Sequence, residues 1–527
     1  MKANIHRRYL LFAVFASGMT TLAVELAASR LLGNIYGNSN LVWATIIGLI
    51  LIYLTLGYFL GGRWADRSPD YRTMYSLMAW GGFLIGLIPW AAQPVLRLAA
   101  EAFDQLEIGL LLGSFISVLI LFSLPVVLLG MISPFAIRLA IGTPQEAGTV
   151  SGKIYAISTI GSFIGTFLPV LIFIPAIGTT RTFLTFSLFL SIVAVIGLWL
   201  SQGWRAAILW VWMPVVLALL LILGSRGTIK ASKGQIYETE SAYNYIQVQE
   251  IDGYRYLRLN DGQGTHSIYH PEEIIYYGPW MEFLAGPFFN PAPFPIERVE
   301  SMAIIGLAAG TTARQATVAF GPIPIDGFEI DAKIIEVGRR YFDMNMPNLI
   351  AIPQDGRWGL EHSSRRYSLI VIDAYRPPYI PWHLTTREFF EIVRAHLTED
   401  GVAAINVGRA PDDRRLVDAL AGTLGAVFSS IYLVDVPGTF NTLIYATNQP
   451  TRPENLFENL IFLIEKSDAH PLLIEALKVA ALNLQPASSL GVVFTDDRAP
   501  VEWITNKMIL RFVLFGDLAQ IDPQRGE

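Results

Sequence analysis

Apolar residues fall into two rhythms along this chain. Up to about residue 225 they come in long unbroken runs, at 9–31, 41–62, 73–95, 109–131, 150–176, 182–201 and 206–224. Crossing the ~30 Å apolar core of a bilayer takes ~20 such residues in a helix, so the pattern predicts about seven spans. From Gln235 the texture changes to alternating and β-branched residues. Residues 243–249 and 254–259 read as paired strands closed by the Asp252-Gly253 turn, within a small antiparallel sheet over 235–270. A helix is expected over 274–284, followed by a Pro-rich stretch at 287–295. Residues 299–447 then alternate short apolar strands with helical segments, the signature of a doubly wound parallel sheet. Its strands are expected at 301–305, 325–329, 349–352, 368–373, 401–406, 429–434 and 441–446. The predicted architecture is an α-helical multi-span membrane domain of about seven helices (1–226), a small antiparallel β domain (227–286) and a Rossmann-like α/β domain (287–527).

Composition sharpens this division. Apolar residues make up 53% of the 527 and charged residues 16%, well below the ~25% charge of soluble domains, and most of the charge lies after residue 225. A net charge of −6 and the lack of a Lys/Arg-rich run offer nucleic acid no basic face. With no cysteine, disulfides, Cys-ligated zinc and thiol nucleophiles are excluded. The seven histidines show no metal-binding spacing, so no metal is expected.

The first apolar run follows Lys2, Arg7 and Arg8 but is too long for a signal peptide, so it reads as a retained helix. A cytoplasmic N-terminus places these three with Arg63, Arg67, Arg72, Arg138, Lys153 and Arg205 inside, and Arg30, Arg97 and Arg181 outside. Seven spans would then leave the C-terminal domain outside, away from cytosolic nucleosides, and the sequence alone leaves its side open. Within the spans Glu25 stands out, because an intramembrane carboxylate is costly unless paired or protonated. Arg30, five residues on, is its candidate partner, and a structural ion pair is the plainer reading. The segment Gly61-Gly62-Arg63-Trp64-Ala65-Asp66-Arg67 resembles the loop between the second and third helices of major-facilitator transporters. Gly161 and Gly165 form a G-x3-G that suits close helix packing.

In the soluble half, acidic residues stand at successive strand ends. The first strand runs into Gly306-Leu307-Ala308-Ala309-Gly310-Thr311-Thr312, where Gly306 and Gly310 let a ligand approach the backbone and the next helix. Glu329 ends the second strand and can accept both ribose hydroxyls; Asp355-Gly356 follows the third; Asp373 ends the fourth. In an open α/β sheet these ends converge on one crevice. Tyr375 and Trp382 either stack on a base or amine or line the core. His383 either contacts substrate or makes a local hydrogen bond, and Asp496 and Asp497 either close over the pocket or cap the helix beginning near Pro500. Residues 453–485 read as helices used for packing or for a homo-oligomer contact.

Several runs now combine: Glu240-Ser241-Ala242-Tyr243-Asn244-Tyr245, Leu259-Asn260-Asp261-Gly262, Tyr276-Tyr277, Phe328-Glu329-Ile330-Asp331, Gln354-Asp355-Gly356 and Val371-Ile372-Asp373. With them the chain resembles the spermidine synthases, or polyamine aminopropyltransferases. That family joins a small β domain to a Rossmann-like α/β domain of the methyltransferase type. With the helices in front it resembles the membrane-fused, spermidine synthase-like proteins of prokaryotes, and the segments 380–388 and 495–502 resemble that subgroup in particular.

The resemblance implies that Glu329 holds the ribose of decarboxylated S-adenosylmethionine, or of an S-adenosylmethionine-like donor. It implies that Asp355 and Gly356 hold the adenine, and that Asp373 is the proton acceptor for the attacking amine. It also places Asn244, Tyr276, Tyr277, Tyr375, Arg376 and His383 around the substrate, a small-molecule amine or a membrane-associated acceptor. The departures lie on the polyamine side: Ala309 stands where the family has an Asp for the aminopropyl amine, and Arg376 where it has an Asp for the diamine. Tyr277 replaces the usual His and Asn244 the usual Gln. An Arg for an Asp reverses the local charge and should repel putrescine. A transporter or sensor with a nucleoside-binding domain, and a methyltransferase acting on a lipid or quinone, are the other readings.

Overall fold

The computed structural model describes residues 2–36, 40–104, 109–223, 232–260, 264–375, 379–466, 468–486 and 491–515. The chain divides into two compact units, Met1–Ala231 with Glu238–Tyr245, and Ser232–Tyr237 with Ile246–Glu527.

The first unit is helical: α1 (Lys2–Tyr36), α2 (Asn40–Arg67), α3 (Tyr71–Asp104), α4 (Gly109–Gly130), α5 (Ile132–Ala140), α6 (Ala147–Leu168), α7 (Ile174–Gln202), α8 (Trp204–Ile208) and α9 (Trp212–Leu223). Five helical stretches among the described residues are long and apolar enough to cross a membrane: His6–Gly33, Val42–Arg67, Tyr71–Ala92, Ser114–Ala140 and the 59-residue run Pro144–Gln202. This differs from the seven spans expected. The fifth and sixth are one helical run, and the last expected span, 206–224, contains only the five-residue α8 and the 12-residue α9.

The long run folds back on itself. Gly161 and Gly165 of α6 leave no room for a side chain against the backbones of Phe15 and Met19, so α6 runs alongside α1 in the same direction. Along α7 the order reverses: the Tyr9 hydroxyl donates to the Val193 carbonyl at 2.6 Å, Phe12 meets the Phe189 ring, and Met19 and Ala23 pack with Phe186. The reversal falls at Gly178, whose φ of 80° is left-handed and breaks the helix. Small residues at the α1–α6 contact let the backbones approach closely, as the G-x3-G spacing predicts. Outward, Leu51, Ile52, Phe59, Leu124, Phe163 and Leu171 are exposed, an apolar surface far larger than soluble domains leave open.

Arg30 does not pair with Glu25. Its guanidinium donates to the carbonyls of Tyr243 (2.7 Å) and Ser241, in the segment that belongs to this unit. Five residues along a helix is 500° of rotation (~140° net), so the two side chains leave different faces.

The second sheet-bearing region begins with β1 (Gln235–Glu240), β2 (Tyr245–Ile251), β3 (Tyr254–Leu259) and β4 (Thr265–Tyr269), in the order β1-β2-β3-β4. Asp252 and Gly253 both have positive φ, 52° and 86°, as a two-residue hairpin turn of this twist requires. The helix expected over 274–284 is absent; only α10 (Pro279–Glu282) forms, continuing as a 3₁₀ segment Phe283–Phe289. Gly278, at φ 139°, and Pro279, which has no N–H, make 279 the first position where a helix can start, and Pro287 sits in its continuation.

The main sheet holds β5 (Met302–Ile305), β6 (Ile325–Phe328), β7 (Leu349–Ile352), β8 (Tyr367–Ile372), β9 (Leu397–Gly408), β10 (Ser430–Asp435), β11 (Asn441–Thr447) and β12 (Leu484–Gln485). Their order is β12-β10-β11-β9-β8-β5-β6-β7. β7, β6, β5, β8 and β9 are parallel, while β11 is antiparallel to both its neighbours. Helices α11 (Thr311–Phe320), α12 (Ala332–Tyr341), α13 (Gly356–Glu361), α14 (Arg387–Ala395), α15 (Arg415–Gly425), α16 (Glu454–Lys466), α17 (Pro471–Leu482) and α18 (Val501–Phe515) complete the domain. The two-residue period explains the layers. Ile304, Leu369, Val371, Val402 and Ala404 pack on one face with Ala313, Ala316 and Phe320. Ile305, Ile370, Ile372, Ala403 and Ile405 pack on the other with Phe389, Val393, Leu416 and Leu420. Strands buried on both faces read as continuous apolar runs, which is why they were visible.

Asn459 of α16 fastens the entry to this sheet. Fully buried, it donates to the carbonyls of Phe288 and Asn290 and accepts from the Phe294 N–H, at 2.8–2.9 Å. Replacing it by Leu strands three backbone groups, each costing about 1–3 kcal/mol when buried. Asn459→Leu is therefore expected to destabilise the full-length protein by about 3 kcal/mol or more, read as a lower denaturation midpoint; an unchanged midpoint would show that these bonds hold nothing.

Candidate functional site

Strand order reverses between β5 and β8, and at such a switch point the carboxyl ends of the strands open a crevice. Gly306 follows β5 there with φ 87°, and a methyl group on it would collide with the Asp373 carbonyl and the Ala374 N–H. The absent side chain thus lets the first loop lie flat against the end of β8, where the Asp373 N–H donates to the Ile305 carbonyl at 2.8 Å. Gly310, at φ 86°, opens α11. Between them the Ala308 N–H donates to Glu329 Oε2 at 3.0 Å, and the Ala309 N–H to Ser267 Oγ of β4 at 2.9 Å. The small sheet therefore covers the glycine loop. Ala309 is buried in an apolar cluster with Ile246, Ile334 and Val337.

Glu329, after β6, is buried, and its other oxygen accepts from the Asp331 N–H at 3.1 Å. Burial pushes its carboxyl up to about 7 even though backbone N–H groups favour the anion. Asp373, after β8, is half-buried. Its Oδ1 accepts from Asn406 Nδ2 at 2.9 Å, and no described residue donates to Oδ2. Burial raises it to about 6, with Asn406 acting in the opposite sense. Asp355 differs. As the cap of α13 its Oδ1 accepts from the Arg357 and Trp358 N–H groups, at 3.0 and 3.1 Å, while Oδ2 pairs with His383 Nε2 at 2.8 Å. Its carboxyl is held below the usual range, first by His383. A carboxylate has about four acceptor positions, so three donors leave one for a further partner. Gly356 lies against Ile305, close enough to exclude any side chain.

The remaining candidates divide. His383 joins the rim through Asp355. Tyr375, two residues after Asp373, is half-buried with its hydroxyl enclosed beside Gly408, and burial pushes that hydroxyl up. Tyr276 is buried and donates to the Glu273 carbonyl at 2.5 Å, while Tyr277 is exposed and reaches Glu475 at 3.3 Å. Asn244 lies in the first unit, in a turn closed by Ser241, beside Glu240, whose carboxylate accepts from the Thr179 N–H and hydroxyl at 2.6 Å each. Arg376 lies outside the described residues. Among the described residues, no three of His, Asp and Glu gather to hold a metal ion.

Two contacts were not anticipated. Asn406 is the hydrogen-bond partner of Asp373, and its amide inside the apolar run 402–407 was the available signal. Asp496 caps no helix: Arg357 grips it with both guanidinium nitrogens at 2.7 Å, and the Thr386 hydroxyl donates to it at 2.7 Å. The segments 380–388 and 495–502, read separately in the sequence, are thus one joined structure behind α13.

Relatives are found over this half of the chain. A probable polyamine aminopropyl transferase of Bifidobacterium longum is 30% identical over 285 residues, 50% of this chain and 61% of that protein. A polyamine aminopropyltransferase of Vibrio vulnificus is 30% identical over 235 residues, 42% of this chain and 75% of that protein. The aligned part thus spans about three-fifths of the first relative and three-quarters of the second. Among solved structures, a probable spermidine synthase from Corynebacterium glutamicum aligns with 53% of this chain and 94% of its own, at 15% identity and a TM-score of 0.39. No family model matches the chain.

Because Glu329 holds a proton more tightly folded (about 7) than at its ordinary 4.5, it favours the folded state below pH 4.5, and that contribution is lost as pH rises through about 7. Glu329→Gln should therefore lose less stability than the parent between pH 5 and pH 8, a difference of up to about 3 kcal/mol. Parallel thermal-melt profiles for the two proteins would contradict this.

Proposed function

From the premise that the chain belongs to the polyamine aminopropyltransferase family, we propose a membrane-bound transferase. It moves an aminopropyl-type group from decarboxylated S-adenosylmethionine, or a similar sulfonium donor, to an amine. One observation carries this reading. Asp373 has one oxygen fixed by Asn406, the other free of donors among the described residues, and a carboxyl near pH 6 on the same rim as Glu329. Ionised at neutral pH and close to it in pKa, such a group is suited to take a proton from an ammonium.

In the proposed reaction, the acceptor's ammonium gives a proton to Asp373 Oδ2. The freed lone pair forms the new C–N bond, the C–S bond breaks, and its electrons return to sulfur, leaving neutral methylthioadenosine. The Glu329 anion accepts from the ribose hydroxyls, since each of its oxygens has a lone pair beyond its backbone bond. The adenine lies toward Asp355 and Gly356. Holding donor and acceptor together supplies much of the barrier reduction, because the sulfonium already leaves readily.

The five apolar helical stretches fasten this chemistry to a bilayer. With the fold-back at Gly178 the Pro144–Gln202 run crosses twice, giving six passes up to the end of α7. A cytoplasmic N-terminus puts Arg30 and Thr179 outside, and with them the segment 240–245 to which both bond. It also keeps Arg63, Arg67, Arg72, Arg138, Lys153 and Arg205 inside.

Asp373→Asn should lower transfer by about 10²–10⁴-fold while leaving the affinity of full-length protein for 5′-methylthioadenosine nearly unchanged. The rate should rise with pH through about 6, and Asn406→Ala should move that midpoint upward, since it removes the donor that favours the anion. Retained turnover in Asp373→Asn would sink the assignment. For the topology, alkaline phosphatase fused to the C-terminus should be active in cells, and green fluorescent protein fused there should stay dark. The reverse pair of results would place the soluble half in the cytoplasm.

A further inference from the structure

One set of contacts around the end of β7 serves none of the steps above. Asp355 is held at both oxygens. Its Oδ1 accepts from the Arg357 and Trp358 N–H groups at 3.0 and 3.1 Å, and its Oδ2 from the His383 Nε2–H at 2.8 Å. The two cap bonds alone form a pivot about which the second oxygen can swing, and His383 removes that freedom. The imidazole is itself braced. Arg357 Nη1 donates to the His383 carbonyl at 3.2 Å, and both nitrogens of the same fork donate to Asp496 at 2.7 Å. Asp496 also accepts from the Thr386 hydroxyl at 2.7 Å, and the Arg387 N–H donates to the Phe494 carbonyl at 2.8 Å. Two segments more than 100 residues apart in sequence thus join behind a single histidine. The pair they support is partly open, with 31% of the His383 and 35% of the Asp355 side chain exposed. An ion pair this open contributes little to folding, so stability alone does not account for the brace.

What the brace secures is the direction of a carboxylate. About four acceptor positions less three donors leave one, and it can only accept. A 6-amino purine offers an N–H there, whereas a 6-oxo purine offers a carbonyl oxygen that an anion repels. We propose that His383 is a positioning residue: it aims the remaining lone pair of Asp355, and through it the site selects a 6-amino over a 6-oxo purine nucleoside. This deepens the transferase reading and rests on its placing the base beside Asp355 and Gly356.

The test titrates full-length protein in detergent, by calorimetry, with 5′-methylthioadenosine and 5′-methylthioinosine, which differ at the 6-position of the base. The parent should bind the adenosine form at least about tenfold tighter, the scale of one hydrogen bond to a charged group. His383→Ala should bring the two affinities together while the thermal midpoint stays nearly unchanged. His383→Gln keeps an N–H for Asp355 and should restore most of the preference, which a merely structural histidine would not require. A preference that survives in His383→Ala, or one lost equally in both variants, overturns the proposal and leaves the transferase reading intact. Equal binding of the two nucleosides by the parent does the same. A parent that binds neither overturns both.

Discussion

The contact between the ends of β5 and β8 is the constraint on which the site depends. At the switch point, Gly306 turns left-handed against the backbone of Asp373 and Ala374, and the Asp373 N–H is fixed to Ile305. A side chain at 306 would force the glycine loop away from β8. Because it is absent, the loop that bonds Glu329 and the strand that bears Asp373 meet edge to edge. Two carboxylates from strands far apart in sequence thereby share one rim. The same economy of space recurs at Gly356, which abuts Ile305, so each strand end brings its acid to the crevice by giving up a neighbouring side chain.

Position alone would make these acids equivalent, and their surroundings make them different. Asp355 has three donors and stays ionised. Glu329 has two backbone donors but is buried enough that its proton is held to about pH 7. Asp373 has a single side-chain donor and titrates near 6. Desolvation and hydrogen bonding oppose one another in all three, and only at Asp355 do the hydrogen bonds win. Glu329 and Asp373 are thus the two acids that exchange a proton near neutral pH, and of the two only Asp373 keeps one oxygen free of donors among the described residues.

The strands of the main sheet were legible because both their faces are buried, and such strands leave continuous apolar runs bounded by turns. Gly306, Glu329, Asp355 and Asp373 were legible for a related reason: they stand where those runs end. What the sequence concealed depends on partners distant along the chain. Asp496 looks like a helix cap until Arg357, 139 residues away, is seen to grip it. The two-residue β12 has no pattern of its own and exists only by pairing with β10. The apolar runs 150–176 and 182–201 show two spans but not that one helical run links them through a left-handed glycine. The helix expected over 274–284 failed for a local reason that was readable, since Gly278-Pro279 forbids an earlier start.

The nucleoside side of the crevice is built largely from backbone: the glycine loop, the N–H groups that hold Glu329, and the close approach of Gly356 to Ile305. Backbone geometry of this kind changes only if the fold changes. Toward β9 and β10 the strand ends carry side chains instead, among them Tyr375, Arg409 and Asp435. Ala309, sunk in an apolar cluster with Ile246, Ile334 and Val337, adds no charge to the glycine loop. In such a crevice the side lined by backbone changes only with the fold, while the side lined by side chains sets the local charge.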